Sequence, residues 1–290
     1  MKMRTLTLIA ALTVTSAVCA FALEIDDHQA QQLGQTDAGT TWQREIDLIT
    51  GNVDYRLVIQ TLQTPAQESL VQAIGLMARR PGLHFSKRGW YSGGFMRIEV
   101  DGADIFAAPA TVEITAELVR FVFATEPEAT VVEFGSETQS EILFATVDWP
   151  APQEGARISL TGYPGEFNKG EYDKNERWAV TAQREVMQGD AVGADTAEAV
   201  ELDPSAEPWV FFYDRKNNPG ERTHQSTNAV LYNPDEVAAA CVQVGKYSVK
   251  ATLDYPAGID AAHLMLWEFP ATDNQQALDY MKSLVVTTGE

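Results

Sequence analysis

The carboxylates Glu166, Glu171, Asp173 and Glu176 fall in one glycine-bearing stretch, interleaved with Tyr163, Phe167, Tyr172 and Trp178. Two acids flanking a bond, beside rings on which the apolar face of a sugar can stack, are what glycoside hydrolysis requires. In a chain with 41 acidic residues, however, such a cluster also arises by chance. These four acids are therefore the candidate catalytic residues of an alternative reading, a secreted carboxylate-dependent polysaccharide hydrolase or lyase.

A second acidic run carries Asp190, Asp195, Glu198, Glu201, Asp203 and Glu207 with no basic residue among them. Hard cations want several oxygens of this kind, but the spacing is not that of an EF-hand loop. A solvated acidic loop is the expectation. Calcium at Asp190, Asp195 and Glu198 is the alternative, and no other cofactor is expected.

The stretch SKRGWYSGGF, Ser86–Phe95, breaks the acidic trend by joining basic residues, aromatics and three glycines. It reads either as a glycine-rich turn whose rings enter the core or as a ligand-gripping loop using Lys87, Arg88, Trp90 and Tyr91. Adjacent residues of an extended chain point to opposite sides, so at most one of Trp90 and Tyr91 is core while the other is wet. A second basic island, Asp214–His224, reads as an exposed loop.

Other chemistries lack their signatures. There is no G-x-S-x-G or G-D-S-G around a serine nucleophile. The four histidines, His28, His84, His224 and His263, are far apart and none forms an H-x-x-x-H pair. The phosphate-cradling G-x-x-x-x-G-K is missing, and Gly89, Gly93 and Gly94 do not lead into a helix as a dinucleotide fingerprint does.

The elements that must position these residues are mostly strands. Met96, Ile98 and Val100 alternate with Arg97 and Glu99 up to a hairpin signal at Asp101-Gly102. Val112–Glu117 alternates likewise, and the apolar phase then slips to Val119, Phe121 and Phe123, predicting a bulge or bend near Leu118. Further strands are expected at 56–59, 131–134, 142–149, 157–160, 178–182, 209–213, 242–253 (turning at Val244–Tyr247) and 263–269. Thr64-Pro65-Ala66-Gln67 has the form of a helix start, and Leu70, Val71, Ile74, Met77 and Ala78 recur at helical spacing before Pro81-Gly82, predicting a capped helix near 65–80. A second helix is expected near 274–286. The polar residues 23 to about 41 read as a solvated lead-in. The fold class is mainly β, an antiparallel sandwich, with α+β as the alternative.

The chain opens with Lys2 and Arg4, an apolar run from Leu6 to Val18, and Ala20-Phe21-Ala22, the three parts of a secretory signal peptide. Residues 1–22 are read as that leader, without the usual lipobox around Cys19. Residues 23–150 and 151–290 are read as two β-rich domains joined at Trp149–Gly155, a single large domain being the alternative. The mature chain of about 268 residues keeps a charge of about −22, which repels nucleic acid and anionic lipid. It keeps one cysteine, Cys241, read as a small buried residue, so no internal disulfide is available. No later segment has the apolar length of a membrane-spanning helix. The leading expectation is an exported, periplasmic or extracellular, non-enzymatic protein that binds a glycan or protein partner through exposed aromatics. A structural component of the envelope or of an extracellular assembly is a further alternative.

Overall fold

The computed structural model describes residues 23–86, 89–150, 152–164, 177–187, 197–214 and 226–284. The signal-peptide reading of 1–22, Cys19 included, lies outside them. The strands in chain order begin with β1 (Glu24–Asp27), β2 (Gln31–Thr36), β3 (Gly39–Ile49), β4 (Asp54–Gln63) and β5 (Ser69–Arg79). There follow β6 (Gly89–Trp90), β7 (Met96–Val100), β8 (Ala103–Asp104), β9 (Ala110–Ile114), β10 (Leu118–Phe123), β11 (Thr130–Gly135), β12 (Leu143–Asp148) and β13 (Ala156–Tyr163). The chain continues with β14 (Arg177–Thr181), β15 (Glu185–Met187), β16 (Ala199–Leu202), β17 (Trp209–Asp214), β18 (Ser226–Tyr232), β19 (Ala239–Val244), β20 (Val249–Tyr255) and β21 (Ala261–Pro270). It closes on the helix α1 (Asn274–Ser283).

Among the described residues all strand pairs are antiparallel and fall into three sheets. The first runs β1-β3-β4-β5, with β2 also on β3; the second runs β16-β19-β20-β13-β7-β8, with β6 also on β13. The third is nine-stranded, β15-β14-β17-β18-β21-β12-β11-β10-β9. Phe95 stitches the first two sheets together, donating its N–H to Ile74 O on β5 and accepting from Thr161 N on β13. One apolar core, including Ile46, Leu57, Trp90, Ile98, Phe121, Phe134, Leu160, Phe212 and Leu253, draws on all three sheets. The mainly β, sandwich-like expectation is correct.

The expected helix at 65–80 is corrected: residues 69–79 are strand β5. Thr64–Glu68 is a hairpin turn, in which Gln67 N–H donates to Thr64 O and Glu68 N–H to the Thr64 hydroxyl, with Gln67 at φ +68°. The misleading periodicity has a cause. The β4–β5 register shifts at Gln60/Thr61, opposite Ala73 and Val71, so the apolar phase changes within the strand. Beyond the shift, residues 73–76 are buried on both faces and read as a continuous apolar run.

Of the bulge or bend expected near Leu118 the structure has the bend, a hairpin turn closed by Thr115 N–H to Leu118 O and by the Thr115 hydroxyl accepting from Glu117 N and Leu118 N. The lead-in carries strands β1 and β2; its polarity reflects a β2 exposed at every residue, an edge wet on both faces. Asp101 (φ +50°) and Gly102 (φ +76°) make the expected left-handed hairpin turn. Across the Trp149–Gly155 segment, β12 pairs with β21 and β13 with β7, so ladders of two sheets join residues before and after it.

Helix α1 starts where Asp273 accepts from Gln275 N and Gln276 N. Its Ala277, Leu278 and Met281 pack on Phe211, Ala229, Trp267 and Phe269, on the face of the nine-stranded sheet away from the main core. That is why β17 and β21 read as near-continuous apolar runs: both of their faces are covered. No helix among the described residues is long and apolar enough to cross a membrane.

Candidate functional site: a tyrosine pair on an open sheet face

The second sheet alternates cleanly, with even-numbered residues of β13 buried and odd ones facing out. Outward from β13 stand Arg157, Ser159, Thr161 and Tyr163. Opposite them on β20 are Asp254, Thr252 and Lys250, and on β19 Cys241 and Gln243. This makes a hydroxyl-rich face on which Arg157 is exposed and the other side chains are half-buried. Arg157 Nε donates to Asp254 Oδ1 at 2.6 Å, which holds the guanidinium above its ordinary range, and the Ser159 and Thr252 hydroxyls are 3.4 Å apart. Burial pushes the thiol of the half-buried Cys241 up, which disfavours its thiolate form.

The segment 89–95 sets the end of this face. Trp90 sits opposite Gly162 and points inward, fully buried, its Nε1–H donating to Trp267 O at 2.9 Å. Its ring lies 5.6 Å from Phe95 and 5.3 Å from Phe212. Tyr91 donates its N–H to Thr161 O and, being the next residue, points the other way. It is 41% exposed, one of two large apolar side chains so exposed among the described residues, the other being Leu33. Its ring centroid is 4.7 Å from that of Tyr163, tilted 44°. Of the two adjacent aromatics, Tyr91 is thus the wet one and Trp90 belongs to the core.

The glycines make this placement feasible. Gly94 N–H donates to Tyr91 O, folding the turn back under the ring. A Cβ at Gly93 would stand 2.8 Å from Tyr91 Cζ, and one at Gly75 on β5 would overlap the Ser92 carbonyl. We therefore expect Gly93→Ala to shift the Tyr91 ring off Tyr163 while costing less than about 1 kcal/mol, since only a side-chain tip must move. Near-ultraviolet circular dichroism alongside urea unfolding checks both halves of that expectation.

Several residues singled out from the sequence, Lys87, Arg88, Glu166, Glu171, Asp173, Glu176, Asp190 and Asp195, lie outside the described residues. Glu198 is exposed just before β16. No group of three or more His, Cys, Asp or Glu among the described residues is placed to hold a metal ion. At the opposite end of the sandwich is a hollow of about 510 Å³ lined by Asp101, Asp104, Thr125 and Glu126, among others. The Asp101 carboxylate accepts the Gln153 and Glu154 amides there, Asp104 caps Phe106 N, and the Thr125 hydroxyl binds Glu128 O.

Sequence reasoning missed a row of polar side chains on the inner face of the nine-stranded sheet. Arg177 pairs with Asp214, Asn228 lies opposite Glu268, and Ser226 is two residues from Asn228 on the same face. All are buried. The signal was available: Glu268 is the one charge in LMLWEFP, a stretch otherwise read only as a strand.

No protein-family profile and no curated protein matches the chain. Among solved structures it superposes on the α-N-acetylgalactosaminidase NagBb of Bifidobacterium bifidum, a quadruple mutant, with a TM-score of 0.49 and 11% identity over 78% of this chain and 36% of that one. A Klebsiella pneumoniae protein assigned as an aldose 1-epimerase gives 0.43 and 9%, over 88% and 96%. The GH36 α-galactosidase AgaB of Geobacillus stearothermophilus gives 0.40 and 7%, over 78% and 40%. The chain spans well under half the length of either glycosidase, and none of these likenesses bears on what it does.

Proposed function

We propose that this is an exported, non-enzymatic protein that binds a neutral glycan on the outer face of its second sheet, with Tyr91 and Tyr163 as the stacking platform. The carrying observation is that Tyr91, a large aromatic in a glycine-rich turn, is held out to solvent against a second tyrosine. Beside it, Thr161, Ser159, Thr252, Gln243 and Lys250 supply the donors and acceptors that sugar hydroxyls need, spread over a surface rather than a cleft. Such a face suits ring stacking with hydrogen bonding along an extended ligand. A net charge of −20 disfavours anionic polysaccharides, hence the neutral class. Export rests on the leader pattern at residues 1–22.

The test is a glycan array with the mature protein, followed by titration calorimetry on the best ligand with wild type and Tyr91→Ala. Loss of one stacking ring should weaken binding about tenfold, equivalent to ~1.4 kcal/mol. Finding no bound glycan, or a Tyr91→Ala protein of unchanged affinity, removes this reading.

A further inference from the structure

Beneath the tyrosine platform, a chain of polar side chains crosses from the platform segment to the nine-stranded sheet. Ser86 Oγ lies 3.1 Å from Ser226 Oγ, and the Ser226 hydroxyl donates to Glu268 Oε1 at 2.6 Å. Ser86 N–H donates to Ala78 O at 2.7 Å, tying this residue to β5 as well. Gly89 presses directly on Ser226 Oγ and on the Glu268 carboxyl, where a Cβ would come within 2.7 Å of Glu268 Cδ. The second carboxyl oxygen, Oε2, is buried with no hydrogen-bond partner. A carboxyl group thus sits sealed under the strand that carries Trp90 and Tyr91.

We propose that this Ser86–Ser226–Glu268 chain is a proton-dependent latch for the platform: with the proton on Glu268 the described stretch Gly89–Phe95 stays seated on it, and when that proton passes to water this stretch lifts and withdraws Tyr91 from the sheet face. The role assigned to Tyr91 rests on the glycan-binding reading; the latch itself does not.

The surroundings bear this out. The ionisable groups on the elements around Glu268 are Tyr55 on β4, Arg79 on β5, Arg80 just after it, Glu141 before β12, and the Arg177–Asp214 pair on β14 and β17. Tyr55 OH accepts Glu268 N–H, donates to Glu141 O, and is itself pushed well up by burial. Arg79 is on Asp54, Arg80 on Glu141 and Arg177 on Asp214. None of them forms an ion pair with Glu268. Lys87 and Arg88, between Ser86 and Gly89, lie outside the described residues. Burial therefore drives the Glu268 carboxyl well above the usual carboxylate range, against the hydrogen bond of Ser226 and the weaker opposing pull of nearby polar groups of Trp90, Ser86 and Ala78.

The sign follows from linkage. Below about pH 4.5, where an ordinary glutamate titrates, the acid is neutral whether the segment is seated or lifted. Above that, the lifted form releases its proton and the seated form keeps it. Seating therefore weakens up to about tenfold per pH unit until the buried value is reached.

Hydrogen–deuterium exchange of the mature protein from pH 5 to pH 8, corrected for the intrinsic rate, reads the seating directly at Tyr91, Gly94, Phe95 and Thr161. In wild type the protection of these amides should fall steeply with pH, and in Glu268→Gln it should be nearly flat. Constant protection in wild type overturns the latch whether or not the variant folds, and so does the same fall in Glu268→Gln. A pH-dependent latch in a protein that binds no glycan would overturn the platform reading alone.

Discussion

Trp90→Ala is expected to lower the unfolding free energy by about 3–5 kcal/mol, while Tyr91→Ala changes it by less than about 1 kcal/mol. The two residues are neighbours in sequence and opposites in environment. Trp90 is fully buried, makes ring contacts with Phe95 and Phe212, and fills a hydrogen bond to Trp267 O. Removing it opens a cavity between the two layers and leaves a carbonyl unmet. Tyr91 loses only the contact with Tyr163 and part of its exposed ring. Urea titrations of both variants, read by far-ultraviolet circular dichroism, separate the core role from the surface role. A Trp90→Ala protein as stable as wild type would refute the layered packing described for this segment. Glycan binding should show the reverse order among variants that remain folded.

The second large effect is expected at Asp214→Ala, a loss of about 3–5 kcal/mol, because one member of a buried ion pair is removed and the other stays. Arg177 Nη1 and Asp214 Oδ2 are 2.6 Å apart, both essentially without exposure. Burial pulls the Arg177 guanidinium below its usual range, and the Asp214 charge and hydrogen bond oppose that pull. The backbone of Asp214 is also the point where Asn274 Nδ2 ties helix α1 to β17, at 2.6 Å. Asp214→Asn keeps the shape and should cost less than the alanine variant. A fall in the urea midpoint equivalent to under about 1 kcal/mol for Asp214→Ala would mean that the pair is not what holds this end together.

Most of the architecture was legible from period-two alternation, because sheets wet on one face and buried on the other write that pattern directly. The second sheet is the clear case, from Met96–Val100 through Ala156–Tyr163 to Val249–Tyr255. The pattern failed where strands are covered twice or change phase. Strand β5 combines a register shift with a doubly buried stretch, and Thr64-Pro65 serves a hairpin turn as readily as a helix start. The platform was half legible: adjacency alone divides Trp90 from Tyr91. Which one is wet depends on the inward direction of Gly162 and on the nine-stranded sheet behind it, information that is long-range. The latch was hidden for the same reason, since Ser86, Ser226 and Glu268 meet only across layers.

The order of the nine-stranded sheet has a consequence for how the chain reaches its fold. Strand β21, the last of the described strands, lies between β18 and β12 and so joins a block made from residues 110–148 to one made from residues 177–232. Until residues 261–270 are present, the two blocks are separate sheets with bare edges, and the layer opposite has no complete surface to pack on. Pairings of such long sequence separation fold slowly, on a scale of about milliseconds to seconds. The nine-stranded sheet is thus closed by the strand at residues 261–270, and its two blocks become one surface only when that strand has joined both.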